Sequence, residues 1–215
     1  MVYTLCDPDR RMSPLTRNHL SRIWIAALVG AFALATAGGA AASPIAGLSC
    51  SDQPASHPFT PWLDGLSYVL APSGSLESTA GWTLSGGAAQ VAGNEPFHVN
   101  GNADGHSLLL PAGSSATSPS MCVTLLHPTL RFFARSSGSQ AGLLEVDAVT
   151  TLLGKTVTTP VGVVPGGGTW APTLPLPFLD NLLSPLSGPV SFRFTPVGAA
   201  SWQIDDVYVD PFKQG

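Results

Sequence analysis

The chain has 215 residues, 22.1 kDa, with 9 Lys+Arg against 13 Asp+Glu, room for one domain and a tail. Only 10% of it is charged, where a typical globular protein has about 25%. Gly and Pro together contribute 43 residues. This excludes a coiled coil, an Ala/Glu/Lys-rich bundle and a charged disordered chain, and the acidic balance argues against a nucleic-acid partner, which selects a basic face.

The N-terminal 1–42 reads as a secretory signal. Ile23 to Ala37 is uncharged, follows Arg17, His19 and Arg22, and precedes the small-residue run Ala40-Ala41-Ala42-Ser43. Cleavage is expected after Ala42. The apolar run spans about 22 Å as a helix, short of the roughly 30 Å hydrocarbon layer. Counting on to Ala42 gives 20 uncharged residues, so an uncleaved anchor is the alternative. Residues 1–11 carry Asp7 and Asp9, odd for such a region, and Met12 makes a better start. Gly47 before Cys50 argues against a lipoprotein. Processing leaves 173 residues with five basic and 11 acidic side chains, and no stable membrane span. Cys50 and Cys122 then most simply pair in an oxidising compartment, two unpaired thiols being the alternative. A bridge closing 72 residues stabilises by about 4 kcal/mol in the chain-entropy treatment. Seven Arg against two Lys, with abundant Ala and Gly, suggests a high-GC bacterial composition.

A lead-in, 43–65, precedes the main domain, 66–215. No mature segment holds a helical apolar period for four turns. Short alternating runs separated by turn residues recur instead. They are Leu66–Leu70, Ser107–Leu110, Met121–Leu126, Thr129–Arg135, Leu144–Ala148, Thr156–Thr158, Val161–Val164, Val190–Phe194 and Trp202–Val209. Leu130, Phe132 and Ala134 share one face, and Arg131, Phe133 and Arg135 the other. Strands at this spacing predict an all-β fold, a two-sheet antiparallel sandwich or a barrel. Residues 160–189 hold seven prolines and five glycines, which bars central strands. That stretch reads as a crossover loop with an edge strand near Trp170–Leu176 and a helical turn at Phe178–Leu183. It either carries function or covers a sheet edge.

Three segments carry a resemblance. Ser73-Gly74-Ser75-Leu76-Glu77-Ser78 leads to Gly81-Trp82; then comes Asp104-Gly105-His106-Ser107-Leu108; Trp202-Gln203-Ile204-Asp205-Asp206-Val207-Tyr208-Val209 closes the chain. In this order they resemble the opening, middle and closing motifs of jelly-roll carbohydrate-binding modules, the family 4/9 and galactose-binding-like superfamily, from about Ala71 to Pro211. Leu76 in place of an aromatic, and the Pro/Gly-rich insert, depart from that pattern. The resemblance implies a jelly roll and one structural calcium ion. Carried over by position, its ligands are Glu77 and Asp206, with neighbouring Asp205 and with Asp104. Calcium takes six to eight hard oxygens, which carboxylates from separate strand ends can supply; solvated or turn-bonded aspartates are the plainer reading. A β-bulge at Asp205-Asp206 would put both Ile204 and Val207 in the core and splay a carboxylate outward.

The candidate ligand face is Arg131, Phe133, Arg135, Glu145, Asp147, Arg193 and Gln203, provided these strands share one sheet, with Trp170 as a stacking platform. Sugars are held by planar hydrogen-bonding groups and a flat ring; cross-strand charge pairing is the plainer alternative. Trp62, Trp82 and Trp202 are expected in the core. No His-Glu-x-x-His or G-x-S-x-G pattern occurs. Histidines 57, 98, 106 and 127 are scattered, and Glu77, Glu95, Glu145 and Asp147 show no glycosidase signature. The expectation is a secreted, non-catalytic carbohydrate-binding-like sandwich whose partner is a glycan or cell-wall polysaccharide. The alternative is a structural or protein-interaction module of the bacterial cell envelope without a sugar site.

Overall fold

A computed structural model describes residues 54–123, 129–137, 142–152, 154–178 and 189–210. The expected signal segment, Cys50 and His127 lie outside these, as do the ends of the Met121–Leu126 strand and of the Phe178–Leu183 turn. Cys122 is disulfide-bonded. No helix among the described residues is long and apolar enough to cross a membrane.

Among the described residues thirteen strands form two antiparallel sheets. They are β1 (Ala55–Ser56), β2 (Tyr68–Leu70), β3 (Thr83–Ser85), β4 (Ala89–Ala92), β5 (His106–Leu110), β6 (Ser115–Thr117), β7 (Thr129–Ser137), β8 (Leu143–Leu152), β9 (Lys155–Pro165), β10 (Ala171–Pro172), β11 (Leu176–Pro177), β12 (Ser191–Val197) and β13 (Ser201–Val209). The second sheet runs β3-β6-β12-β8-β9. In the first, β13 is central and β7 lies along one side of it. On its other side β5 pairs with Trp202–Ile204, and β2 with Tyr208 and Val209. The first sheet therefore forks between β5 and β2, at Asp205–Val207.

The fork follows from a bulge. The β13–β7 register shifts between Asp205 and Tyr208, and Asp206 has φ +48°. Ile204 and Val207 are both fully buried in the same core, as expected of an extra residue inserted between them. The expected outward carboxylate is not seen: Asp205 and Asp206 are both fully buried, because the β4–β5 loop closes over the fork.

The core lies between the sheets. Leu108, Leu130, Phe132, Ile204 and Trp202 face Val146, Ala148, Phe192 and Phe194, and the Phe132 and Phe194 rings meet edge-on at 5.1 Å. Trp82 joins this core and donates its indole N–H to the Ser73 carbonyl. The alternation read in β7 holds, but both of its faces are buried. The lead-in packs on the outer face, where Phe59, Tyr68, Phe133 and Tyr208 form a second cluster with Trp62 and Trp170 at its margin.

Val161–Val164 and Thr156–Thr158 belong to one strand, β9, whose register against β8 shifts between Val146 and Asp147. It tolerates Pro160 and Pro165 because it is an edge strand. The Pro/Gly-rich insert supplies β10 and β11, which pair with the free side of β7. Of its two expected roles, the described part performs edge covering.

Gly74 sits against the fork: the Val207 N–H donates to its carbonyl, and the Ala71 N–H to the Val207 carbonyl. A Cβ on Gly74 would lie 2.7 Å from the Val207 oxygen and 2.8 Å from that of Ala71. Both obstacles are backbone. Gly74→Ala is expected to cost about 1–3 kcal/mol, as overpacking does, measurable as a lower thermal midpoint.

Candidate functional site

The three sequence motifs meet at the fork. Both oxygens of Glu77 are engaged: Oε1 accepts the N–H groups of Gly105 and His106 at 2.7 Å each, and Oε2 lies 2.8 Å from His106 Nδ1. Burial alone would raise this carboxyl, but the His106 ring and the two N–H donors outweigh it and hold it below its usual range. Glu77 thus staples the start of β5 to the first motif. Asp205 Oδ2 accepts the Glu95 N–H at 3.1 Å, and Oδ1 the Asp206 N–H at 2.9 Å. The fully buried Glu95 carboxylate accepts the Phe97 N–H and, at 2.8 Å, the Val99 N–H.

Asp206 is different. Both of its oxygens are buried without a hydrogen-bond partner, as is Asp104 Oδ2. The Asp206 carboxyl faces that of Glu95, and two acceptors make no bond unless a proton or a cation lies between them. Burial, followed by the charges of Asp205, Asp104 and Glu95, pushes Asp206 up to about 9. Burial, against the pull of its two N–H donors, pushes Asp205 up to about 8. Asp104 is raised by burial and by the charge of Glu77. Among the described residues no three His, Cys, Asp or Glu side chains form a ready metal-holding group. Orphaned carboxyl oxygens of Asp104 and Asp206 are nevertheless the chemistry a hard cation relieves. Glu95 was not among the sequence-derived ligands. Its only signal was an acid in a turn-rich loop, Gly93-Asn94-Glu95-Pro96.

The proposed ligand residues do not share one sheet. Arg131, Phe133, Arg135 and Gln203 lie on the outer face of the first sheet, and Glu145, Asp147 and Arg193 on that of the second. Strand periodicity gives the face of a residue but not the sheet of its strand, so the grouping was conditional and the condition fails. Within the first set, Phe133 is fully buried, its ring stacked on Phe59 at 5.5 Å. Arg131 is buried over the Phe59 ring at 4.1 Å, paired with Asp64 and donating Nε–H to the Thr173 carbonyl at 2.9 Å. These two residues anchor the lead-in and the insert. Arg135 donates to Gln203 Oε1 at 2.5 Å and lies 5.2 Å from the Trp170 ring, which is half-buried. Trp82 and Trp202 are core as expected, and Trp62 is half-buried against Phe97 and Phe133.

The second set lines a groove of about 420 Å³ across four strands, within the size range of small-molecule sites. Asp147 on β8 and Arg193 on β12 are cross-strand partners; Arg193 Nη2 donates to Asp147 Oδ2 at 2.6 Å and Nε at 3.2 Å. Glu145, Thr195, Thr158, Ser114 and Ser115 complete the polar lining. None of the lining residues is aromatic.

The described strands make a two-sheet antiparallel sandwich of the jelly-roll type, with a polar groove on one sheet. No family model and no curated protein matches the chain. Solved structures do. The family 22 module and catalytic module of Clostridium thermocellum endo-1,4-beta-D-xylanase 10B, complexed with xylohexaose, match 66% of this chain at TM-score 0.50 and 12% identity. The chain spans 28% of that chain's length. The first family 22 xylan-binding domain of a Paenibacillus barcinonensis xylanase matches 66% of this chain and 93% of its own, at TM-score 0.48 and 17% identity. The enzymatically active domain of bacteriophage CBA120 tailspike protein 4 matches 65% of this chain and 21% of its own, at TM-score 0.43 and 18% identity. At such identities the likeness is one of fold, and the fold of this chain is a carbohydrate-binding-module-like β-sandwich.

Proposed function

We propose that this chain is a secreted, non-catalytic module that binds carbohydrate in the groove on the second sheet. One observation carries the reading: Glu145, Asp147, Arg193 and several hydroxyls converge on a single concavity of sugar-accommodating size. Carboxylate, guanidinium and hydroxyl groups together offer the donors and acceptors that sugar hydroxyls need. The ligand class is a glycan or cell-wall polysaccharide, and the finer kinship to families 4 and 9 rests on the three motifs alone. Arg193→Ala leaves Asp147 unpaired and removes the groove's planar donor. It is expected to lower affinity at least tenfold for any glycan that the protein retains in affinity electrophoresis, a loss of about 1.4 kcal/mol or more. No retention of any host or cell-wall glycan would overturn the reading. The absence of a ring from the groove lining favours a second reading, an envelope interaction module without a sugar site, which that same negative result would support.

The proposal includes one structural calcium ion at the fork. Asp206 and Asp104, whose carboxyl oxygens lack partners, would supply the side-chain oxygens, with backbone carbonyls and water completing the set. Asp205 positions the Glu95 loop, and Glu77 positions Asp104 through its bonds to Gly105 and His106. When bound, the ion supplies positive charge that lets buried carboxylates stay ionised.

A further inference from the structure

The groove holds two carboxylates and one guanidinium, and these are not distributed evenly. Asp147 has only 7% of its side chain exposed and receives two hydrogen bonds from Arg193. That pair is internally neutral. Glu145 lies two residues away on the same face of β8, opposite Thr195. Among the described residues no hydrogen bond or ion pair reaches its carboxylate. The groove therefore carries one uncompensated negative charge, open to an occupant. The rest of the lining is uncharged: Thr158, Thr195 and Ser115 supply hydroxyls, with Gly113 and Pro160 beside them. The Ser114 hydroxyl is buried beneath that surface.

These features select among glycans. A uronic acid or sulfated sugar would bring a second negative charge against Glu145, which costs affinity. A neutral sugar satisfies Thr158 and Thr195 but leaves the Glu145 charge partly desolvated and unmatched. A sugar with a free amino group places an ammonium where Glu145 can accept a charge-assisted hydrogen bond. We propose that the groove takes a glycan bearing free, protonated amino groups, with Glu145 as the residue that reads the amine. This deepens the carbohydrate-binding reading and rests on it.

The test uses three probes on the purified protein by isothermal titration: a glucosamine oligomer, its fully N-acetylated counterpart and a xylo-oligosaccharide. The deacetylated oligomer is expected to bind about tenfold tighter than the acetylated one, as a hydrogen bond to a charged group implies. Its affinity should fall with added salt while that of the neutral probes does not. Glu145→Gln, at unchanged thermal midpoint, is expected to bring the ratio between the two oligomers close to one. Thr195→Val should weaken both oligomers equally and leave their ratio intact. Equal binding of the two oligomers by the unmodified protein, or a preference that survives E145Q, overturns the amine assignment and leaves the groove a sugar site. Failure of all three probes to bind, together with no retention on any other glycan, overturns both readings.

Discussion

Asp64→Ala is expected to destabilise the fold by about 3–5 kcal/mol, the range for stranding one member of a buried ion pair. In a protein of this size that is a fall of roughly 10 °C in the thermal midpoint. The Arg131 guanidinium is 5% exposed and sits between the lead-in, the outer face of β7 and the insert. Asp64 answers its charge and also accepts the Tyr68 hydroxyl at 2.7 Å. Burial would raise Asp64, but its bonds from Tyr68, Leu66 and Arg131 prevail and hold it low. Arg131→Met paired with Asp64→Leu should recover most of the loss, because removing both charges of a buried pair is often neutral. Denaturant melts of the unmodified protein, Arg131→Met, Asp64→Leu and the pair give the coupling energy directly. If D64A alone costs less than about 1 kcal/mol, the range for an exposed pair, the lead-in is not fastened by this pair.

The second large effect concerns the fork. With divalent cations chelated, the protein is expected to lose stability as pH rises. Asp205 and Asp206 sit at about 8 and about 9 in the fold, against about 3.9 unfolded. Between those values the native state holds protons that the unfolded chain has released. Their contribution is therefore fully present below about pH 4 and is lost as pH climbs through the two folded values. Asp64 and Glu77 act in the opposite sense, since both are held low. Their contribution is present above their unfolded values and lost in acid. The chelated protein should melt highest in mildly acidic buffer and progressively lower toward pH 9. Calcium at a hundred times its dissociation constant adds about 2.7 kcal/mol, a rise of several degrees, and should flatten the alkaline decline. Asp206→Asn should remove most of the calcium response and its own share of the pH slope, leaving the decline that belongs to Asp205. An identical melt with and without chelator at pH 8 would eliminate the ion.

The groove and the fork differ in how far the chain itself announced them. The bulge at Asp205-Asp206 was legible because Ile204 and Val207 are both apolar three apart in a strand, and a period of two cannot bury both without an inserted residue. That the 160–189 insert holds an edge strand and not a central one was legible because proline lacks the donor that an interior strand must supply; which of its two expected roles it plays was not. Glu95 was not legible. An acid in a loop looks solvated, and only closure of the β4–β5 loop over the fork brings it against Asp206. The burial of Phe133 was hidden for a similar reason: its alternation placed it outward correctly, but nothing local showed that Phe59 and Trp62 would cover that face.

Local sequence determined the strands with a clear apolar period, β2, β5, β7, β8, β12 and β13, and the bulge, since these depend on backbone sterics and side-chain period within a few residues; the short β1, β3, β4 and β6 carry too little apolar pattern to announce themselves. The tertiary structure decided which strands share a sheet, and so split one imagined ligand face into a covered aromatic layer and an open polar groove. It also decided which carboxylates meet. Both depend on pairings between residues that are distant in the chain, such as Glu95 with Asp205 and Arg131 with Asp64, and no local period encodes such partners.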